Sequence, residues 1–260
     1  MELAGGRYNI RVVDRAIRVL KMLTDGRSKT LTELSQQLGI SPSSTFRLLT
    51  TLDSHNFVEH DRPAGGYRLG LACLELSRAY QESSDVRRVA LQELEGLRDA
   101  TSETVHLGVL DQMEVVYIEK LQGLHAIGLM SSRVGGRSPA YCTGLGKMLL
   151  AHLDPATVRD HFSGNGLHRF TENTITGLDE LMAHLAIVRA QGYAIDNSEH
   201  EREVRCVAAP LFDVRGEAVA AISVSGPAAR MDPLGDHRAL IEATVRTSQV
   251  ISRRLGFQIR

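Results

Sequence analysis

The chain predicts a mixed α/β protein of the α+β kind, a small winged helix-turn-helix ahead of a larger domain with a largely antiparallel sheet flanked by helices. Three observations lead there. Two helical patterns with their own caps lie within residues 30–54, a polar hairpin (EHDRPAGGYRLG) follows them, and beyond residue 100 strand-like and helix-like runs alternate. A length of 260 residues is enough for two modest cores. The expected division is a winged helix-turn-helix over 9–70, a linker helix over 71–84 and a second domain over 85–257.

The elements follow in order. Apolar residues recur at a helical period from Arg11 to Thr24. Thr30 and Glu33 have capping-box spacing, and Leu31, Leu34 and Leu38 give the next helix one apolar side. Gly39 suits the left-handed turn residue after it. Ser41 followed by Pro42 starts a third helix running to about Ser54, with Phe46, Leu49 and Leu52 as its expected buried residues. Ala64-Gly65-Gly66 suits the hairpin tip. A long helix is expected over Val86–Ala100. Strands are expected at Thr104–Leu110, Val115–Glu119, Ala126–Met130, Tyr193–Asp196, Arg205–Phe212 and Ala218–Ser225, with a hairpin turn at Asp111–Glu114. Helices are expected at Gly144–His152, Pro155–Phe162 (capped by Asp154), Leu178–Gln191 (from a Thr176/Asp179 box) and Pro233–Leu255.

Charge is informative only when divided. Residues 1–70 carry ten Lys/Arg against seven Asp/Glu, a net +3, whereas residues 71–260 carry twenty against twenty-four, a net −4. A basic small domain beside an acidic larger one fits nucleic-acid binding joined to another task. No apolar run is long enough for a bilayer, and the start MELAGGRYNIR has no apolar export signal, so a cytoplasmic protein without membrane contact is expected. Cys73, Cys142 and Cys206 lie far apart, as reduced thiols would, with no zinc-ligand spacing.

Two capped helices, a short glycine-containing turn and a hairpin form a plan that places the second helix N-terminus first in the DNA major groove. The residues suit that chemistry. Ser43, Ser44 and Thr45 are small hydroxyl carriers that let the backbone approach phosphates and base edges, and Arg47 can donate to guanine or to phosphate. Thr30, Ser41 and Pro42 complete the expected contact set at the two helix starts, and Arg62 and Arg68 flank the wing tip. The alternative reading of this half is a helical protein-contact domain whose serines merely cap.

The second domain offers a candidate small-molecule site. Tyr141–Lys147 is a glycine-rich turn entering an apolar helix, whose start can hold a carboxylate. Ser223 and Ser225 share one face of a strand. Cys206 lies on a preceding strand, and Asp196 ends another, where it can accept a ligand hydroxyl. Each has a plainer structural use, and only their joint occurrence suggests a pocket. Enzyme signatures are absent: GLGKM lacks the first glycine and last Ser/Thr of a P-loop, Ser225 has no nucleophile-elbow glycine before it, and His200 and Glu203 lack HExxH spacing and read as a solvated charged loop. No catalytic residue, metal ligand or cofactor is therefore expected.

TLTELSQQLGISPSSTFRLLTTL with the GGYRLG wing end resembles the DNA-binding half of the IclR family of bacterial regulators. CTGLGKMLLAHL, GYAIDNSEHEREVRCVAAPLFD and AAISVSGP match the family's later blocks in order and spacing, so the resemblance spans roughly 9–257. It implies a GAF-like effector-binding domain, homodimers or homotetramers, and double-stranded operator DNA with half-sites about one helical turn apart. It places an effector pocket at Gly144, Leu145, Asp196, Cys206, Ser223 and Ser225, lined by Ile127 and Met130. Ser138 stands at a further lining position that is often apolar in relatives sensing very small keto acids. The RVGGRSPAYCTGLGK stretch is closer to the sugar-acid-sensing, KdgR-like branch; a sugar acid, keto acid or aromatic acid is the expected effector, with repression the default sign and activation equally compatible with the residues. The alternatives are an enzyme acting on a small carboxylate with an accessory DNA-binding domain, and a ligand-independent architectural DNA-binding protein.

Overall fold

The computed structural model describes residues 9–61, 65–83, 85–124, 130–231 and 238–258. The chain divides into two compact units, one ending at Ser83 and the other beginning at Ser84.

The first unit holds α1 (Arg11–Met22), α2 (Leu31–Leu38), α3 (Pro42–Ser54), the antiparallel wing strands β1 (Val58–Asp61) and β2 (Gly66–Leu69), and α4 (Ala72–Ser83). Thr30 and Glu33 exchange both bonds of a capping box at the start of α2, and Gly39 ends that helix in the left-handed region at φ 66°. Ser41 caps α3 through the Ser44 amide, with Pro42 in the first turn. Val19, Leu23, Leu34, Leu38, Leu49 and Val58 form the core. The backbone of Lys29 pairs with Tyr67 and lends the wing a third short rung.

The core takes Thr45, which is 0% exposed, and leaves Phe46 52% exposed. This reverses the expected burial on α3. Thr45 lies four residues before Leu49 and Phe46 lies three before it, so either can share its face. The threonine can go inside because its hydroxyl returns to the Ser41 carbonyl (3.2 Å).

The second unit opens with α5 (Asp85–Thr101) and the hairpin β3 (Thr104–Asp111) and β4 (Glu114–Leu121). Gln112 and Met113, both at positive φ, make its tight turn. Next come β5 (Arg137–Pro139), a 3-10 turn at Ala140–Cys142, α6 (Gly144–Leu150), α7 (Pro155–Asn165) and α8 (Leu178–Gln191). The unit closes with β6 (Ala194–Asp196), β7 (Val204–Phe212), β8 (Ala218–Pro227) and α9 (Arg238–Arg254). All pairings in the six-stranded sheet, in the order β5-β4-β3-β8-β7-β6, are antiparallel.

One expected cap changes, one expected strand falls mostly outside the described residues, and one strand is found that the sequence does not announce. Residues 126–129 of the expected Ala126–Met130 strand lie outside the described residues, and Met130 is not in a strand. Thr176 does not cap α8: Gly177 occupies that position, and the Thr176 hydroxyl instead receives Arg169 Nη2 (3.1 Å). The short strand β5 has no alternation to announce it, since its three residues are held in place by pairing with β4.

Strand alternation sorts the sheet into two faces. Val105 and Leu107 of β3, Ala220, Ile222 and Val224 of β8, and Ala209 and Leu211 of β7 pack with Leu94 of α5 and Ile251 of α9. The opposite face meets α6, with α8 packed against α6, and Leu145, Met148, Leu181 and Leu185 of these helices share one core cluster with Ala208 and Ala221. Interleaved with the apolar set are Thr104, His106, Cys206, Ser223 and Ser225, and the last four form the floor of a cavity.

Candidate functional site

The cavity floor is set by register. Across the strands, Asp196, Cys206, Ser225 and Thr104 are successive partners in one row, and Ser223 opposite His106 stands in the next. Directly paired residues share a face, so these side chains converge although up to 121 positions separate them in the chain. Gly144 brings α6 down onto the row, because a Cβ there would meet Cys206 Sγ at 2.5 Å. Met130, Ser132, Tyr117, Thr143, His200 and Glu201 complete the wall. The space between these residues, open mouth included, is about 430 Å³.

His106 is the hub of the floor. Its Nε2 lies 2.9 Å from Ser132 Oγ, and its Nδ1 lies 3.3 Å from Ser225 Oγ and 3.5 Å from Ser223 Oγ. Burial, with Lys120 adding to it, lowers its pKa to about 3, so the imidazole is neutral. Asp196 accepts the Glu199 amide (2.7 Å). Its burial, reinforced by Glu199, raises its pKa to about 7. Cys206 is pushed up to about 12, chiefly by burial and also by Asp196, so it sits in the wall as a thiol. Tyr117 is raised to about 12, again by burial first, and its hydroxyl donates to Ser138 (3.2 Å).

Behind the cavity Lys147, on α6, is fully buried. Its Nζ donates to the Ile195 carbonyl (2.6 Å) and pairs with Glu199. Thr171 and Thr174 both donate to the Glu199 carbonyl, which fixes the turn between β6 and β7. From that turn Glu201 accepts the amide (3.1 Å) and hydroxyl of Ser131, so it holds the segment carrying Met130 and Ser132.

Of the residues expected at the pocket, Met130, Gly144, Leu145, Asp196, Cys206, Ser223 and Ser225 line this one cavity. Ile127 lies outside the described residues. Ser138 is corrected: it is buried behind Tyr117, not on the wall, because β5 pairs it with Val115. The α6 start is less open to an anion than expected, since the Gly144 amide bonds Cys206 and the Gly146 amide bonds Thr143 Oγ1 (3.3 Å). His200 is also corrected, because the turn that reads as a solvated charge run carries it and Glu201 into the wall. Sequence reading missed His106 and Tyr117. Their signal is the alternation of polar with apolar residues along two strands buried on both faces.

The helix-turn-helix presents Ser43, Ser44 and Arg47 on the exposed surface of α3. Thr45 is corrected from a contact residue to a core residue, for the reason given above. Thr30 and Ser41 are capping residues, their oxygens taken by the Glu33 and Ser44 amides. Arg47 has no ion-pair partner among the described residues, whereas Arg68 is paired across the wing with Glu59 (2.6 Å). Arg62 lies outside the described residues. No helix among the described residues is long and apolar enough to cross a membrane.

Two family models match the chain. The IclR helix-turn-helix domain matches residues 12–62, and the bacterial transcriptional regulator IclR C-terminal domain matches residues 78–253. The regulator XynR of Escherichia coli is 35% identical over 251 residues, 95% of this chain and 98% of that one. The E. coli regulator KdgR is also 35% identical, over 96% of this chain and 94% of its own. In structure, an IclR homologue from Microbacterium hydrocarbonoxydans complexed with 4-hydroxybenzoate superposes with a TM-score of 0.82 at 25% identity, covering 94% of this chain and 98% of that one. With both of its halves matched and relatives aligned along nearly its whole length, the chain belongs to the IclR family of DNA-binding transcriptional regulators.

Proposed function

We propose that the protein is a cytoplasmic repressor that binds operator DNA through α3 and the wing and is controlled by a small organic acid held in the cavity. The observation that carries this reading is the convergence of Asp196, Cys206, Ser223 and Ser225 under Gly144 and Leu145, in a unit separate from the helix-turn-helix. The 4-hydroxybenzoate of the solved relative supports an acid of about that size. The domain division in this proposal is the one expected above: 9–70 for DNA, 71–84 as linker and 85–257 for the effector. Control is by linkage, in that the effector favours one quaternary arrangement and operator DNA another.

Such a mechanism needs a homo-oligomer. Ile10, Val13 and Ile17 are exposed at helical spacing at the start of the chain, and Leu71, Leu74 and Tyr80 are exposed at and along α4. Apolar surface of this kind supports self-association into a dimer or tetramer.

Two results are expected. Arg47→Ala weakens operator binding by roughly 1–3 kcal/mol in a gel-shift titration at fixed salt. Unchanged affinity removes Arg47 from the reading face. In thermal denaturation with a panel of sugar, keto and aromatic acids, at least one acid stabilises the protein, by about 2.7 kcal/mol at a hundredfold excess over Kd. A flat response to the entire panel refutes effector control.

A further inference from the structure

We propose that the cavity takes its anionic effector together with one proton, held on Asp196. The inference rests on the effector reading above and concerns how that site is charged. Among the described residues the wall contains two carboxyl groups, Asp196 and Glu201, and no lysine or arginine. Lys147, behind the cavity, is committed to Glu199 and the Ile195 carbonyl. Lys120 directs its Nζ to the Ser132 carbonyl (2.5 Å). His106 is buried and neutral among serine hydroxyls. A carboxylate entering this space therefore meets two carboxyl groups with no lysine or arginine on the wall itself, the charge of Lys120 acting on His106 and Glu201 from outside the lining. Two carboxyl groups held side by side share a proton, because ionising both sets like charges against each other.

Asp196 is the group placed to hold that proton. It is 6% exposed, and its Oδ1 is fixed by the Glu199 amide while the residue lines the cavity. The groups around it come from every packed element. Glu199 and Glu201 on the following turn add negative charge, and Lys147 on α6 opposes them. Cys206 on β7, Tyr117 on β4 and Cys142 in the 3-10 turn couple to it and are all held neutral by burial. The Glu201 carboxylate is committed to the Ser131 amide and hydroxyl. With its value raised to about 7, Asp196 is protonated in a substantial share of molecules near neutral pH. The protonated carboxyl donates to the effector carboxylate, and the proton stays between the two oxygens. An effector that offers only a hydroxyl or an amide at this point needs no proton.

The direction with pH follows. Below pH 7 affinity for a carboxylate is level, and above it the affinity falls about tenfold per pH unit as Asp196 ionises. Without ligand the same group makes the fold lose stability as pH rises from about 4 through 7, because a raised carboxyl favours the fold only while protonated.

The test uses the full-length protein and Asp196→Asn, whose amide also donates a hydrogen bond but cannot titrate. In ligand-free thermal denaturation the variant is expected to gain melting temperature over wild type at pH 8.5 and not at pH 4.5. Calorimetric titration with 4-hydroxybenzoate, gluconate and pyruvate at pH 6.0 and 8.5, in buffers of different ionisation enthalpy, reads the proton directly. For any acid that binds, wild type is expected to take up close to one proton at pH 8.5 and to lose 10- to 30-fold in affinity between the two values. Asp196→Asn is expected to take up none and to bind equally at both. Binding by wild type that is independent of pH, or a melting gap that does not open with pH, overturns the proposal and leaves effector control standing. No binding of any acid at either pH, with the melting gap present, overturns effector control and this proposal with it.

Discussion

Lys147→Met is expected to destabilise the C-terminal unit by about 3–5 kcal/mol, the cost of leaving a buried charge without its partner. The lysine is 0% exposed and holds Glu199 together with the Ile195 carbonyl. Glu199 has no other strong support for its charge: Asn197 offers one long amide contact (3.4 Å), and Oε2 is buried without a hydrogen-bond partner among the described residues. Methionine keeps the length of the stem and removes the charge, so the loss is electrostatic and not a cavity. For a unit of this size the melting temperature should fall by roughly 6–20 °C. Urea denaturation of the variant at pH 7 measures it. The double replacement Lys147→Met with Glu199→Leu discriminates the cause, because two apolar side chains leave nothing uncompensated and a buried pair contributes little net stability. The double variant should recover most of the loss. If it is as unstable as the single one, the pair is not what holds the turn. Effector binding should follow the same pattern, since the Glu199 amide orients Asp196.

That dependence of a cavity on residues behind it separates what the sequence reveals from what it conceals. Local signals read well. The box at Thr30, the serine and proline opening α3, the Asp154 cap and the bounds of α8 are each decided by a few neighbouring residues. Ser223 and Ser225 read as one face because alternation is local too. His106 did not read as a site residue, since only the β3–β8 register sets it opposite Ser223. His200 and Glu201 lie in a run that looks solvated. Thr171 and Thr174, more than 25 positions earlier, tie the turn against the cavity through the Glu199 carbonyl. On α3 the periodicity allowed two faces, and the hydroxyl-to-backbone bond of Thr45 decided between them.

Gly146→Ala should be comparably damaging for a different physical reason. A Cβ at position 146 would lie 2.2 Å from the Ala140 carbonyl oxygen and 2.3 Å from its Cα. Both are backbone atoms of the 3-10 turn, so no side chain can swing away. The turn is held in its own right, with Thr143 Oγ1 donating to the Pro139 carbonyl (3.1 Å) and receiving the Gly146 amide. The added methyl must push α6 off the turn, and Gly144 and Leu145 would move with it, away from Cys206. Overpacking of this kind costs about 3 kcal/mol. The loss of affinity for the effector should exceed what stability alone explains, because the roof of the cavity shifts. Gly164→Ala is the matched control. That glycine lies in α7 with nothing within 4 Å of its added Cβ, so the same substitution there should stabilise by about 0.4–1 kcal/mol. Chemical denaturation of the two variants side by side should therefore give shifts of opposite sign. A Gly146→Ala protein within 1 kcal/mol of wild type would show that α6 does not approach the turn as closely as these distances require, and the placement of Gly144 over Asp196 and Cys206 would fall with it.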